Sequence, residues 1–183
     1  MKRALTSTFT VVLVVNLTSW AAQSTANQRL QERISHEVRH ELVMLPQLTI
    51  FDNLAYQVNG DTVTLMGQVR NAVLKDAAEK AVDGIEGVKS VNNKIEVLPA
   101  SPGDDRIRTA VARAIFSDDR LFRYSMGSVP PIHILVKGGH VTLVGVVDSQ
   151  TDKDTAGIRA NGVPGVFSVE NNLRVAGSEA SSK

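Results

Sequence analysis

NGDTVTLMGQVRNAVLKDAAEKAVDGIEGVKSVNNKIEV, residues Asn59–Val97, and KGGHVTLVGVVDSQTDKDTAGIRANGVPGVFSVENNLRV, residues Lys137–Val175, are one unit written twice. Aligned without a gap, they agree at about two places in five, well beyond chance for a single frame of that length. The shared skeleton is Gly60/Gly138, Val63-Thr64-Leu65/Val141-Thr142-Leu143, Gly67/Gly145, Val69/Val147, Lys75-Asp76/Lys153-Asp154, Gly84/Gly162, Gly87-Val88/Gly165-Val166, Ser90-Val91/Ser168-Val169, Asn93/Asn171 and Val97/Val175. Glycines and aliphatics dominate it, and it holds no set of groups that could run a reaction. The repeat is a scaffold used twice.

Within each copy the pattern predicts helix, strand, strand, helix, strand. Leu30, Ile34, Val38 and Leu42 recur every four residues and Pro46 closes the run, so Gln28–Met44 reads as an amphipathic helix. Leu54, Tyr56 and Val58 alternate up to Asn59-Gly60, and Val63, Leu65 and Val69 alternate after it, which signals a hairpin. Gly67 interrupts the second strand where another backbone is expected to come close. Asn71 is placed to cap a helix that carries Ala77, Ala78, Ala81 and Val82 and ends at Gly84 and Gly87. Val91, Ile95 and Val97 close the unit as a strand reached by a right-handed crossover, hence parallel to its neighbour. Both helices have one stripe to bury and must share one face of the sheet. The fold class expected is α+β: two small α-β-β-α-β domains in tandem, each a three-stranded mixed sheet with two helices on one face.

The domain boundaries follow. Residues 28–98 form the first domain, and 99–103, with two prolines and small residues, form a short stiff linker. Residues 104–175 form the second domain, and 176–183 a polar, disordered tail. Asp104 or Asp105 is expected to cap the second domain's first helix, which carries Ile107, Val111, Ala114 and Ile115. Pro130-Pro131 marks Ile132–Val136 as an edge strand, and Gly157 is expected to interrupt the helix Ser149–Asn161. Asn93 and Asn171 alternate with the aliphatics of the third strands. Both are therefore expected to be largely buried and to bond backbone groups of the helix-to-strand loop or its neighbour.

Lys2-Arg3, the apolar run Phe9–Leu17 and the small residues after it have the order of a secretory signal peptide over 1–21, cleaved after Ala21, with Ser24 and Ala26 as later options. The run is too short to span a bilayer, and no transmembrane span is expected in the mature chain. Losing Lys2 and Arg3 changes the balance from 20 basic and 19 acidic residues to 18 and 19. A near-neutral mature chain has no global field for nucleic acid. The chain has no cysteine, which excludes disulfides and a lipid anchor on cysteine. A periplasmic protein that is not a lipoprotein is the expected product.

Val63-Thr64-Leu65-Met66-Gly67 with Val88–Ile95, and Val141-Thr142-Leu143-Val144-Gly145 with Gly165–Leu173, make the chain resemble a tandem pair of BON domains, named for bacterial osmotically inducible and nodulation proteins. The resemblance covers nearly all of the mature chain. It implies the α-β-β-α-β fold, residence in the bacterial envelope in an osmotic or stress setting, and binding of phospholipid or protein partners without catalysis. Some tandem members are lipid-anchored; this chain looks closer to the soluble periplasmic ones.

One motif speaks for an enzyme. His36-Glu37-Val38-Arg39-His40 fits H-E-x-x-H, but the helical phase turns His36 away from the Leu30-Ile34-Val38-Leu42 stripe, with His40 not far behind, so the pair faces solvent. Val43 and Pro46 stand where the longer zinc signature needs glycine and histidine. No catalytic residue, metal or cofactor is expected. Gly84-Ile85-Glu86-Gly87 and Gly162-Val163-Pro164-Gly165 match G-x-x-G, yet they lead from helix to strand and lack a basic residue, so they read as helix stops and not as a nucleic-acid clamp.

The candidate site is the second domain's first helix and the turn after it: Arg106, Arg113, Phe116, Arg120, Phe122, Arg123 and Tyr124. Guanidinium groups beside aromatics suit the headgroup layer of an anionic phospholipid surface. The competing reading is a solvated face, its charge largely cancelled by Asp104, Asp105, Asp118 and Asp119. A chaperone-like module holding exported or outer-membrane proteins on exposed sheet edges and on Phe167 is the alternative partner class.

Overall fold

The computed structural model describes residues 16–127 and 130–177, with side chains from Asn27 onward. The first unit runs α1 (Asn16–Val43), β1 (Asn53–Asn59), β2 (Thr62–Val69), α2 (Ala72–Asp83) and a third strand in two pieces, β3 (Ser90–Asn93) and β4 (Glu96–Val97). The second runs α3 (Pro102–Phe116), a 3-10 turn (Phe122–Ser125), β5 (Ile132–Lys137), β6 (His140–Val147), α4 (Gln150–Asn161) and β7 (Ser168–Val175). The fold is α+β, the α-β-β-α-β unit twice. β1 pairs antiparallel with β2, which pairs parallel with β3 and β4. β5, β6 and β7 repeat that order.

Each unit buries its own core. Ile34, Val38 and Leu42 of α1 and Leu74, Ala78 and Val82 of α2 close over Val63, Leu65 and Val69 of β2. In the second unit Val111 and Ile115 of α3 and Ala156 and Ala160 of α4 close over Val141, Leu143 and Val147. The helices share one face of each sheet because each has a single stripe to hide. Asn71 caps α2, its side chain accepting from Val73 N at 2.9 Å.

Several expectations need correction. α1 begins at Asn16, not at Gln28, so the expected cleavage after Ala21 falls within this helix; residues 1–15 of the expected leader, and the tail beyond 177, lie outside the described residues. α3 is capped by Ser101, whose Oγ accepts from Asp104 N at 3.2 Å, with Pro102 in its first turn; neither Asp104 nor Asp105 is the cap. The helix therefore starts inside the stretch read as linker. Asp104 instead turns inward and accepts from Gly138 N and Gly139 N, both at 2.9 Å, clamping the β5–β6 turn.

Gly157 does not interrupt α4. A Cβ there would lie 2.8 Å from Asn171 Nδ2, so the glycine makes room for that amide. Asn93 and Asn171 do face the helices, but each is half-buried and donates to a first-turn carbonyl, Lys75 O at 3.1 Å and Lys153 O at 2.7 Å, and not to the loop. Asn93 Oδ1 also accepts from Ile95 N at 3.1 Å, at the point where the first unit's third strand breaks. The break puts Leu98 inside and leaves Val97 exposed, against the alternation expected of Val97.

β5 is an edge strand of its sheet, as the prolines before it suggested. Its edge is nonetheless covered. Ile134 N donates to Ile50 O at 2.7 Å, and Ile50 and Phe51, from the loop between α1 and β1, pack against the second core. Leu98 and Leu135 are both buried in the crevice between the units. Lys137–Glu96 at 2.6 Å and Arg70–Asp105 at 3.1 Å bridge the units at the surface.

His133 sits in this junction. Burial pushes its imidazole below the ordinary value of 6.5, against the opposing pull of the Asp52 and Thr49 carbonyls and the Asp52 charge. Its Nδ1 is buried without a partner. The unfolded chain therefore takes up this proton more readily than the folded one. The site's contribution is complete above about pH 6.5 and is lost as pH falls through that unfolded value toward the lower folded one, at no more than about 1.4 kcal/mol per pH unit. Urea unfolding should show stability declining from about pH 7.5 to about pH 5, and His133→Leu should flatten that decline. An undiminished slope in the variant would assign the titration to other groups.

Candidate functional site

α3 buries Asp104, Arg108, Val111 and Ile115 on one stripe. At 100° per residue this puts Arg106 and Arg113 opposite, and both are exposed. Arg106 Nε bonds Pro102 O at 3.3 Å, while the Arg113 side chain has no hydrogen-bond or ion-pair partner among the described residues. Arg113 stands on the rim of an open groove of about 610 Å³ between α3 and α4, floored by Ala110, Ala114 and Val163 and flanked by Ile158, which is 71% exposed. The groove continues past Ser117 to Asp119 and Arg120, both exposed.

α4 is held in place here by one ion pair. Arg159 Nε and Nη2 reach Asp118 Oδ2 at 2.9 and 2.7 Å. That guanidinium, with the backbone amide of Arg120, holds the Asp118 carboxyl below the usual carboxylate range. Asp118 is thereby occupied within the protein, and its charge does not offset Arg113. The cancellation by acids that the sequence suggested is thus local, at the helix ends.

The seven candidate residues do not all belong to one surface. Arg106, Arg113 and Arg120 are exposed, Phe122 is 55% exposed, and Phe116 is half-buried against the second core. Tyr124 is buried: its hydroxyl donates to Asp152 Oδ2 at 3.0 Å and accepts from Asp148 N at 2.8 Å. Arg123 lies over the Tyr124 ring, 4.9 Å from its centroid, and binds Asp152 at 2.6 Å and Asp148 at 3.2 Å. Those two residues build the domain and are not available to a headgroup. Burial pushes the Asp152 carboxyl up, but hydrogen bonds from Ser149 and Tyr124 and the charges of Arg123 and Arg120 outweigh it and hold the group low.

The residues missed by reading α3 alone are Ile158 and Val163. Setting the repeats on each other puts Arg113 on His36 and Val163 on Ile85, so the first unit has the same groove lined by His36, Glu37, His40, Glu41, Ile85 and Glu86. That groove is acidic where the second is basic. His36 and His40 are exposed, as the helical phase requires, and among the described residues no three His, Asp or Glu side chains are grouped to hold a metal ion. Among the described residues no helix is long and apolar enough to cross a membrane.

Comparison with known proteins places both units. The family profile described as BON domain matches residues 31–99 and 103–177. "Osmotically-inducible protein Y" of Escherichia coli K12 is 32% identical over 131 residues, covering 67% of this chain and 61% of that protein. "Outer membrane lipoprotein DolP" of Haemophilus influenzae is 31% identical over 120 residues, covering 63% of this chain and 58% of that protein. The chain thus spans about three fifths of the length of these relatives. Among solved structures, the C-terminal domain of CdsD, a structural protein of the type III secretion system of Chlamydia trachomatis, aligns at 15% identity with a TM-score of 0.31 over 76% of this chain, too distant to bear on function.

Proposed function

The chain belongs to the BON-domain family, and from that premise we propose that it is a non-enzymatic, stress-associated binding protein of the bacterial periplasm whose second domain meets anionic phospholipid along the α3–α4 groove. What supports this reading most is Arg113, a guanidinium with no partner of its own at the edge of an apolar floor, next to an exposed isoleucine. A phosphate can take the guanidinium bidentately while Ile158 meets the acyl boundary. Arg106 on α3 and Arg120 in the turn after it extend the cationic line. The names of the two relatives, one osmotically inducible and one an outer membrane lipoprotein, fit an envelope setting.

A second reading has its own observation. Phe167 is 78% exposed and lies across the backbone of the β5–β6 turn, where a Cβ on Gly139 would come within 2.5 Å of its ring. An aromatic held rigidly in solvent suits a polypeptide partner. Sedimentation with liposomes separates the two: pelleting with phosphatidylglycerol vesicles that weakens with salt supports the lipid reading, and no pelleting at low salt leaves the protein-partner reading.

A further inference from the structure

The junction between the units holds a second cavity, of about 350 Å³, between the C-terminal end of α1, β1 and the outer face of the second sheet. Leu42, Leu48 and Leu54 wall it, Arg39 and Arg174 stand over it, and His133 closes its side. Among the described residues no carboxylate lines it. The nearby Asp52 is buried and engaged with Thr49 and with Arg70 N at 2.8 Å, and the Tyr56 hydroxyl is engaged with Ser35 at 2.9 Å. Two polar groups remain unmatched: Arg39 has no partner among the described residues, and His133 Nδ1 is buried without one.

We propose that this cleft binds a single-chain anionic amphiphile, a fatty-acid carboxylate, with the carboxylate on Arg39 and the chain along the three leucines. A pocket with leucines on one side and convergent polar groups on the other, set where two domains meet, has the form of a small-ligand site. Its volume is near the lower end of the usual range of about 300–1,000 Å³, which admits one chain and not the two of a phospholipid. Arg39 on the rim selects the headgroup, since an anion gains there and a neutral head leaves that guanidinium unmatched. The site is separate from the α3–α4 groove and does not rest on the lipid reading of that groove.

Titrating the full chain calorimetrically with dodecanoate below its micelle concentration tests the proposal. One saturable site is expected, weakened about tenfold or more in Arg39→Gln and blocked in Leu48→Trp, which fills the cavity. Dodecyl maltoside, with the same chain and a neutral head, should bind far more weakly. Arg39→Gln is an exposed change that leaves the fold intact, so the test does not depend on the tryptophan variant folding. Absence of saturable binding, equal affinity in Arg39→Gln, or equal binding of the maltoside would each overturn it.

Discussion

Asp152→Ala destabilises the second domain by roughly 3 kcal/mol, because it leaves a buried hydroxyl and a guanidinium without their charged acceptor. Asp152 Oδ2 accepts from Arg123 at 2.6 Å, Ser149 Oγ at 2.7 Å and Tyr124 Oη at 3.0 Å, and the side chain is 2% exposed. For a domain of this size such a loss lowers the melting temperature by on the order of 10 °C or more. The first unit shows the apolar solution at the same place, since Leu74 aligns with Asp152 and is buried in its core. Tyr124→Phe combined with Asp152→Leu should therefore recover part of the loss, because removing both partners leaves fewer buried groups unsatisfied. Asp148 N, which loses its acceptor, limits the recovery. The carboxyl is held low in the folded state, so its contribution is present above the usual carboxylate range and is lost as pH falls through the folded value. Thermal unfolding checks both variants; wild-type stability in Asp152→Ala would mean that the hub is not formed.

Gly145→Ala has an effect of similar or larger size. Gly145 has φ +131°, and a Cβ on it would sit 1.9 Å from the carbonyl oxygen of Pro131, an overlap with backbone that no side-chain motion relieves. That oxygen also accepts from Val146 N at 3.1 Å, so moving it away opens the end of the β5–β6 pairing. Backbone strain of this kind costs about 1–3 kcal/mol, and the displaced strand end adds to it, for a total of roughly 3–5 kcal/mol. Gly67, at φ +112° and where an added Cβ would sit 2.1 Å from Asn53 O, predicts a matching loss in the first domain. Urea unfolding of the alanine variants measures it, and a change under about 0.5 kcal/mol would contradict the close approach of these strands.

How much of this the sequence carries differs by element. The hairpins, the crossover, Asn71 as a cap and the close approach at Gly67 are local signals, and the repeat doubles each one. The errors lie where two local choices compete. Ser101 and Asp104 are both good caps, and only the pull of Gly138 N and Gly139 N on Asp104 decides for Ser101. Arg123 and Tyr124 look like an interfacial pair until Asp152, far along the chain, claims them. That misreading had a visible warning, for the repeat sets Asp152 on a leucine of the helix's apolar stripe, and an acid there needs a partner. The domain junction had one as well: Ile132, Ile134, Leu135 and Val136 are all buried, whereas β1 alternates, and a near-continuous apolar run in an edge strand asks for a cover on both faces. The groove was half legible. Arg113 and its helical phase are local, but Ile158 and Val163 join it only through the packing of α4 on α3.

The proposed phospholipid contact of the second domain is tested most directly by a matched pair of charge changes at aligned positions. Arg113→Glu reverses an unpaired guanidinium of the basic groove, and His36→Glu makes the corresponding change in the acidic one. In co-sedimentation with phosphatidylglycerol vesicles at low salt, Arg113→Glu should weaken binding about tenfold, given roughly 1 kcal/mol for each basic residue near an anionic membrane. His36→Glu should leave it close to wild type. Equal weakening by the two changes, or none by either, would show that the α3–α4 groove is an ordinary solvated surface and not the site of lipid contact.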